Sequence, residues 1–229
     1  MRIHTIDYDF VSAYLIEERE RLTLVDTGVA GTSAQVFDEI ARIGRKPSDL
    51  REIVLTHAHI DHTGSVADLA ERTGAAVLAH RLDAPVVRGA AAICPPVLSE
   101  LERPYAEQAA SRVLPAPDCA VTRELDDGDR IEIGAGARVV HVPGHTPGSI
   151  ALHLPAERVL ICGDAVASLN GRPIVGFFNC DPALAQRSFM QLARLDFDAA
   201  YFGHGTPLLE RASEAFGKVA ARIERGASS

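Results

Sequence analysis

The sequence predicts an α/β fold, because strand and helix patterns alternate through its first third and a run of strands returns after residue 120. Apolar residues make up 47% and charged residues 24% of the 229 positions, a balance typical of a globular protein. A chain of this length can bury one large core, so we expect a single domain over residues 1–229.

Strands rich in β-branched residues are expected first, at Arg2–Tyr8, Val11–Ile16 and Leu22–Val25. A helix follows from about residue 32 to residue 43, where apolar residues recur at helical spacing and Gly44 can end the helix. The alternation then continues with a strand, a helix and a strand, at Glu52–Leu55, Val66–Arg72 and Ala76–Ala79.

Between about residues 81 and 120 several prolines break any long element. A lid or insertion over an active site and a surface helical connection are both consistent with this segment. Strands return at Ala120–Leu125, Arg130–Ile133, Arg138–Val142, Ser149–Leu154 and Arg158–Ile161. Asp181-Pro182 marks the start of a helix over 183–195. A buried strand at 199–202, an amphipathic helix at 208–223 and a polar tail at 226–229 follow it.

Charge and hydropathy exclude several classes of partner. A net charge of −8 disfavours nucleic acid, which is normally met by a basic face. No apolar run approaches the roughly 18 residues of a membrane span, and Asp7 and Asp9 lie where a signal peptide would be apolar. We therefore expect a cytoplasmic protein with a small-molecule substrate and no membrane partner; the oligomeric state stays open, a homodimer included.

The four cysteines, Cys94, Cys119, Cys162 and Cys180, are far apart in the sequence. They form neither a Cys-x-x-Cys pair nor a disulfide framework, so buried free thiols are expected.

The segment from Thr56 to Gly64 is the most informative, because it holds His57, His59, Asp61 and His62 directly after a strand. Burying so many polar groups without partners would cost several kcal/mol each, and a metal ion removes that cost. Histidine and aspartate are preferred ligands of zinc and similar ions. This segment therefore predicts a metal site.

Three later segments place a histidine or an acid beside glycine, just after an apolar strand. They are Gly144-His145-Thr146-Pro147-Gly148, Cys162-Gly163-Asp164-Ala165 and Gly203-His204-Gly205. Loops at strand ends can present ligands from a rigid sheet, and Asp26-Thr27-Gly28 has the same form. The other histidines, His4, His80, His141 and His153, are expected to be surface residues or hydrogen-bonded core residues.

Taken in order, the candidate donors are His57, His59, Asp61, His62, His145, Asp164 and His204. This set resembles the metal ligands of the metallo-β-lactamase superfamily, and the resemblance runs from about Leu22 to Thr206. It implies a four-layer αβ/βα sandwich, in which two mixed β-sheets pack face to face, helices flank them and metal ions lie at one sheet edge.

The resemblance also implies a role for each donor. The resemblance implies that the first metal ion is bound by His57, His59 and His145. The second ion would be bound by Asp61, His62 and His204, and Asp164 would be shared by both. Asp26 would orient a ligand histidine from outside the site. The expected cofactors are two divalent ions, zinc first and iron or manganese as alternatives.

The implied activity is hydrolysis by metal-activated water, with Asp61 as the catalytic residue that orients the nucleophile and protonates the leaving group. An ester, lactone or thioester of a small molecule is the expected substrate. Ala167 stands where acyl-homoserine lactonases usually carry tyrosine, which weakens the case for hydrolysis of such lactones. The single helix after His204 is smaller than the helical domain with which typical glyoxalase II enzymes bind glutathione thioesters, so that substrate is also less favoured.

Apolar candidates for the substrate pocket are Ile174, Phe177, Phe178 and the segment 93–98, with ordinary packing as the alternative. The rival activities are a mononuclear iron oxidoreductase resembling persulfide dioxygenases, and hydrolysis of β-lactams or phosphodiesters. A catalytically silent binding module is the third class. Metal identity and oxygen uptake would separate these activities.

Overall fold

The computed structural model describes residues 1–110 and 114–226. Residues 111–113 of the predicted 81–120 segment and residues 227–229 of the predicted tail lie outside the described residues. The strands are β1 (Arg2–Asp7), β2 (Ser12–Glu17), β3 (Leu22–Val25), β4 (Leu50–Val54), β5 (Ala76–His80), β6 (Arg123–Leu125), β7 (Arg130–Ile131), β8 (Ala137–His141), β9 (Ile150–Leu154), β10 (Val159–Ile161), β11 (Val166–Leu169), β12 (Arg172–Val175) and β13 (Ala199–Tyr201). The helices are α1 (Ser33–Arg42), α2 (Ile60–Thr63), α3 (Val66–Thr73), α4 (Ala84–Val87), α5 (Arg103–Ala110), α6 (Pro182–Leu192) and α7 (Ala212–Gly226).

The strands form two large mixed sheets and one hairpin. The first sheet has the order β1-β2-β3-β4-β5-β6, and its strands run parallel from β3 to β6. The second sheet has the order β13-β10-β9-β8-β7, with β13 parallel to β10 and the other pairs antiparallel. The parallel pairs direct several strand ends toward the same edge, where connecting loops can meet.

Both sheets bury both of their faces, because successive side chains of a strand point to opposite sides. Tyr14 and Ile16 of β2 enter the core between the two sheets, whereas Leu15 packs in the core with residues of α1 and α3. In the second sheet Val139 faces the core between the sheets, and Val140 packs with residues of α6 and α7. The predicted four-layer αβ/βα sandwich is therefore confirmed.

The hairpin of β11 and β12 was not predicted, although the sequence contains a signal for it. Asn170 and Gly171 form its two-residue turn with φ values of 52° and 71°, and Leu169 pairs with Arg172. Asn-Gly favours such turns, because both central residues need positive φ. The short strands and their mixed composition concealed this element.

Two boundaries also differ from the predictions. The sequence predicts a closing helix from Leu208, but Leu208 exchanges both backbone hydrogen bonds with Ala200, so α7 begins at Ala212. Residues 60–63, for which no element was predicted, form the one-turn helix α2. No helix among residues 1–110 and 114–226 is long and apolar enough to cross a membrane.

The prediction of buried thiols is correct for Cys119 and Cys162 and wrong for the other two cysteines. Cys94 and Cys180 are only half-buried, because both lie in loops at the margin of the core rather than in a packed element.

Candidate metal centre

Loops that follow four different strands meet at one edge of the two sheets. They carry His57 after β4, His145 after β8, Asp164 after β10 and His204 after β13. The strands themselves are anchored by buried apolar residues, which fixes the positions of the loops that extend from them. All seven predicted ligands lie together at this edge.

Six of the seven candidate donors form two groups, and Asp26, His57 and His62 form a third cluster that overlaps both. Within each group the candidate ligand atoms lie within 4.8 Å of one another, and the groups are His57, His59 and His145, and Asp61, His62 and His204. Asp164 lies between them: its Oδ2 atom is 3.6 Å from Nε2 of His145 and 3.0 Å from Nε2 of His204. One carboxylate is thus close to both groups of donors.

Glycine makes the approach of Asp164 to the second group sterically feasible. A Cβ atom at position 203 would lie 2.0 Å from Oδ1 of Asp164 and 2.6 Å from Cε1 of His62. Gly163, beside Asp164, has a φ of 51° and lies so close to Thr56 that a Cβ atom would be 2.5 Å from its Oγ1. Any larger residue would displace the Asp164 carboxylate or His62 at position 203, and Thr56 at position 163.

The rings of three candidate ligand histidines are held from outside the pocket. Nδ1 of His62 lies 2.9 Å from the Asp26 carboxylate, and Nδ1 of His145 lies 2.9 Å from the Phe177 carbonyl oxygen. Nδ1 of His204 contacts the Phe10 carbonyl oxygen. These partners fix the ring orientations and, where Nδ1 carries the proton, leave Nε2 free to bind a cation.

Asp26 joins the motif to the strand before it. Its Oδ1 atom accepts a hydrogen bond from the Thr56 amide at 2.8 Å, and its Oδ2 atom accepts one from the Thr56 hydroxyl at 2.7 Å. The Asp26 backbone is left-handed, with a φ of 59°, and this conformation directs the carboxylate toward His62. Asp26 therefore orients one ligand and the start of the motif loop.

The two groups of donors differ in their electrostatics. Burial and neighbouring histidines lower the pKa of His57 well below its usual value and that of His145 to about 3. Burial opposes protonation of His62 and His204 as well, but nearby carboxylates raise the pKa of His62 well above its usual value and that of His204 to about 10. The second group thus attracts positive charge, as a cation site should.

Three buried atoms in this pocket have no hydrogen-bond partner among the described residues, although two of them, Nε2 of His62 and Oδ1 of Asp164, lie 3.3 Å apart. They are Nε2 of His57, Nε2 of His62 and Oδ1 of Asp164. Leaving buried polar atoms unpaired is costly, and all three are oxygen or nitrogen atoms of the kind that divalent ions bind. The residues present therefore fit bound metal ions.

A further carboxylate supports the pocket, and the sequence analysis did not find it. Asp83, which is 2% exposed, accepts hydrogen bonds from the amides of Ala58 and Gly148 and from the Thr146 hydroxyl, at 2.9, 2.7 and 2.6 Å. Its burial raises its pKa, and these donors oppose that effect. Asp83 ties the loop of His57 and His59 to the loop of His145. An acid shortly after β5 was the available signal, as at the other ligand loops.

The first strands of the chain hold its last ligand. The Ser12 amide donates to the Gly203 carbonyl oxygen at 2.8 Å. The Tyr14 hydroxyl donates to the carbonyl oxygen of Phe202 and accepts from its amide. The loop that presents His204 is therefore fixed by residues at the opposite end of the sequence.

The predicted pocket residues lie in different places. Phe177 is 43% exposed, and its carbonyl oxygen contacts His145; Phe178 is half-buried beside it, with ring centroids 6.2 Å apart. Ile174 lies on β12 and lines a groove together with Val219 of α7. None of the seven candidate ligands lines this groove. The backbone of Phe177 thus contacts a candidate ligand, whereas Ile174 lines a groove formed by other residues.

The remaining histidines lie outside the two donor groups. His80 and His141 stack with ring centroids 4.2 Å apart, His4 pairs with Glu17, and His153 contacts the Asp196 carbonyl oxygen.

The chain is similar in sequence to known metallo-hydrolases. The sequence profile of the metallo-beta-lactamase superfamily matches residues 6–204. The probable metallo-hydrolase YflN of Bacillus subtilis (strain 168) is 27% identical over 235 positions, which cover 90% of this chain and 84% of that protein. A hydroxyacylglutathione hydrolase of Pseudomonas aeruginosa (strain LESB58) is 36% identical over 149 positions, or 64% of this chain. That match spans only 43% of the hydrolase.

Solved structures of this fold superpose well on the chain. TTHA1623 in a di-iron-bound form gives a TM-score of 0.68 at 29% identity, with 90% of this chain and 93% of that chain covered. BJP-1, a subclass B3 metallo-beta-lactamase of Bradyrhizobium japonicum, gives 0.69 at 22% identity, with 99% and 90% covered. The second similarity concerns the fold alone.

Proposed function

Because this chain belongs to the metallo-β-lactamase superfamily and is a metal-dependent hydrolase, we propose that it binds two divalent ions, zinc in the first instance, and hydrolyses a small ester, lactone or thioester. The observation that carries the proposal is the position of Asp164, whose Oδ2 atom lies close to histidines of both donor groups. A carboxylate in that position suits a pair of adjacent cations.

The ligands divide as the two donor groups do. We assign the first ion to His57, His59 and His145 and the second ion to Asp61, His62 and His204. Asp164 is the proposed ligand of both ions. Seven nitrogen and oxygen donors for two ions leave positions open for water and substrate, unlike a closed structural zinc site of four ligands. The di-iron form of TTHA1623 supports a pair of ions and keeps iron as an alternative to zinc.

Ions bound in this pocket would supply a water of lowered pKa and an electrophile that polarises the substrate carbonyl oxygen. The protein contributes position and proton transfer. Asp61 is only part-buried, and its Oδ2 atom lies 3.4 Å from Nε2 of His204. Burial opposes ionisation of Asp61, but His62 and His204 lower its pKa to about 2, so it stays a carboxylate. A carboxylate here can accept a proton from the attacking water and pass it to the leaving group.

The surroundings of the centre favour an uncharged, partly apolar substrate. Phe177 is exposed beside His145, and Ile60, between two candidate ligands, is 37% exposed. Phe178 and the segment 93–98 continue this side of the pocket, because the Val97 amide donates to the Asn179 carbonyl oxygen at 2.8 Å. The similarity to a hydroxyacylglutathione hydrolase supports a thioester among the candidates, although it spans less than half of that enzyme.

The test combines elemental analysis of the purified protein with a panel of esters, lactones, thioesters, β-lactams and phosphodiesters. We expect about two equivalents of zinc or iron and turnover of an ester, lactone or thioester without oxygen uptake. About one iron per chain with oxygen uptake on a persulfide would replace this proposal with an oxidoreductase. A fully metal-loaded protein that turns over nothing in the panel would indicate a binding module.

A further inference from the structure

The segment 94–102 is attached to the loop 177–180 by a small number of polar contacts. The Cys180 thiol donates to the Cys94 carbonyl oxygen at 3.1 Å, the Val97 amide to the Asn179 carbonyl oxygen at 2.8 Å, and the Phe178 amide to Oε1 of Glu102 at 2.9 Å. Residues 92–99 have no regular secondary structure. These contacts are therefore important for holding the segment in place.

The two cysteines at this junction are close enough to interact. The Sγ atom of Cys180 lies 3.1 Å from the carbonyl oxygen of Cys94, which places the Cys180 side chain directly against residue 94. Both side chains are half-buried, so a small oxidant can reach them. Pro95 and Pro96 follow Cys94 and restrict the local backbone.

The other two cysteines provide a contrast within the same chain. Cys119 is 9% exposed and Cys162 is fully buried, and both pack in apolar cores. Burial keeps both of these thiols from solvent, whereas Cys94 and Cys180 are half-buried. Any selective oxidation is therefore expected at Cys94 and Cys180.

We propose that Cys94 and Cys180 are a redox modification site, at which a reversible intramolecular disulfide locks the segment 94–102 onto the loop beside the metal centre. With a peroxide as oxidant, the Cys94 thiol becomes a sulfenic acid and one water is released. The Cys180 sulfur then attacks the Cys94 sulfur, the disulfide forms, and the hydroxyl group leaves with the Cys180 proton as a second water. A thiol reductant returns both thiols.

The disulfide would fix one wall of the metal pocket. Cys180 donates its amide hydrogen to the His145 carbonyl oxygen at 3.2 Å, and the Asp181 amide donates to Gly144 at 2.9 Å. The same loop carries Phe177, whose carbonyl oxygen contacts the His145 ring. The crosslink itself is independent of hydrolysis; only its bearing on substrate entry rests on the proposed function.

The experiment treats the metal-loaded protein with hydrogen peroxide, then counts free thiols by maleimide labelling under denaturing conditions and intact mass. We expect two of the four thiols to be lost in the monomer, and a Cys94–Cys180 peptide in the digest. Cys94→Ser and Cys180→Ser should both abolish the crosslink, whereas the matched control Cys119→Ala should retain it. Phosphine treatment should restore all four thiols.

Hydrogen exchange tests whether the crosslink locks the segment. The amides of Val97 and Phe178 should exchange at least about tenfold more slowly in the oxidised protein than in the reduced protein. Oxidation of Cys180→Ser should give no such protection. A disulfide between chains, oxidation beyond sulfenic acid without a crosslink, or unchanged exchange at both amides would overturn the proposal. Each of these results is independent of catalytic activity, so none depends on the proposed hydrolase.

Discussion

The two halves of the sandwich contribute ligands in opposite ways. The first half supplies four donors from one short segment, His57 to His62, whereas the second half supplies His145, Asp164 and His204 from three separate strand ends. A compact segment places its donors through local geometry, but scattered donors depend on the packing of the whole second sheet. The difference shows that the motif alone cannot form this pocket. Substitutions in each half should reveal how far the pocket depends on that half.

The largest effect is expected from Asp164→Ala, which removes the carboxylate near both donor groups. Loss of charge stabilisation worth several kcal/mol corresponds to about a thousandfold fall in kcat/KM. Elemental analysis should show loss of metal at the same time, and His59→Ala should be as damaging as Asp164→Ala. His153→Ala, a histidine of the second half outside the site, is the control. Full turnover by a metal-depleted Asp164→Ala protein would remove the basis of the proposed function.

The next largest effect is expected from Gly203→Ala, because the new Cβ atom would lie 2.0 Å from Oδ1 of Asp164. Displacing that carboxylate should lower kcat/KM by about a hundredfold, a smaller loss than removing it. The matched control is Gly217→Ala in α7, where nothing lies within 4 Å. Alanine there should stabilise the helix by up to about 1 kcal/mol. Equal effects of both substitutions in urea unfolding and kinetics would show that backbone space near Asp164 is unimportant.

Asp83→Asn should weaken the connection between the two halves without removing a ligand. The amide group can no longer accept all three hydrogen bonds, so the loops of His59 and His145 lose their common support. Outer-shell changes of this kind cost about 10- to 100-fold in metal affinity. Competition with a chromophoric chelator measures the affinity, and Asp126→Asn, an exposed acid in the turn after β6, is the control. Unchanged metal affinity would limit Asp83 to a role in folding.

The smallest effect on activity is expected at His80 and His141, which stack across the two halves away from the metal centre. Burial and the His141 ring lower the pKa of His80 to about 4, against about 6.5 in an unfolded chain. The unfolded state therefore binds more protons between these values. Stability is complete above about pH 6.5 and falls as the pH drops toward 4, and the loss reaches about 2 kcal/mol near pH 5.

This pH effect can be separated from titration of the ligand histidines by comparing His80→Gln with the parent protein. Urea unfolding at about pH 8 and about pH 5 should show a smaller loss of stability in the variant. Equal losses in both proteins would show that the His80–His141 pair does not contribute to acid sensitivity.

Much of the architecture was predictable from local patterns. The alternation of apolar residues in β2 and β8 identified strands with two buried faces, and the acid and proline at 181 and 182 marked the start of α6. The start of α7 was not predictable, because the pairing of Leu208 with Ala200 is a tertiary contact. Such a contact leaves no periodic signal in the sequence.

The site divides along the same line. The donors of the motif were evident from their density, and the distant donors from their positions after strands beside glycine. Asp83 was missed because its partners, Ala58, Thr146 and Gly148, belong to other loops. The closeness of Cys94 to Cys180 is likewise invisible in a sequence that separates them by 86 positions. Local spacing identifies candidate ligands, and Asp26 beside them, whereas Asp83 and the Cys94–Cys180 neighbours are recognised only in three dimensions.

The hydrogen bonds between Tyr14 and Phe202 join residues 188 positions apart in the chain. During synthesis on a ribosome, the histidine-rich segment would emerge long before the strand that completes the pocket. Closing so long a loop is slow and entropically costly, so tight cation capture must wait until nearly the whole polypeptide has been made. Metal uptake would thus report on the completion of folding, and a truncated nascent chain should bind ions only weakly.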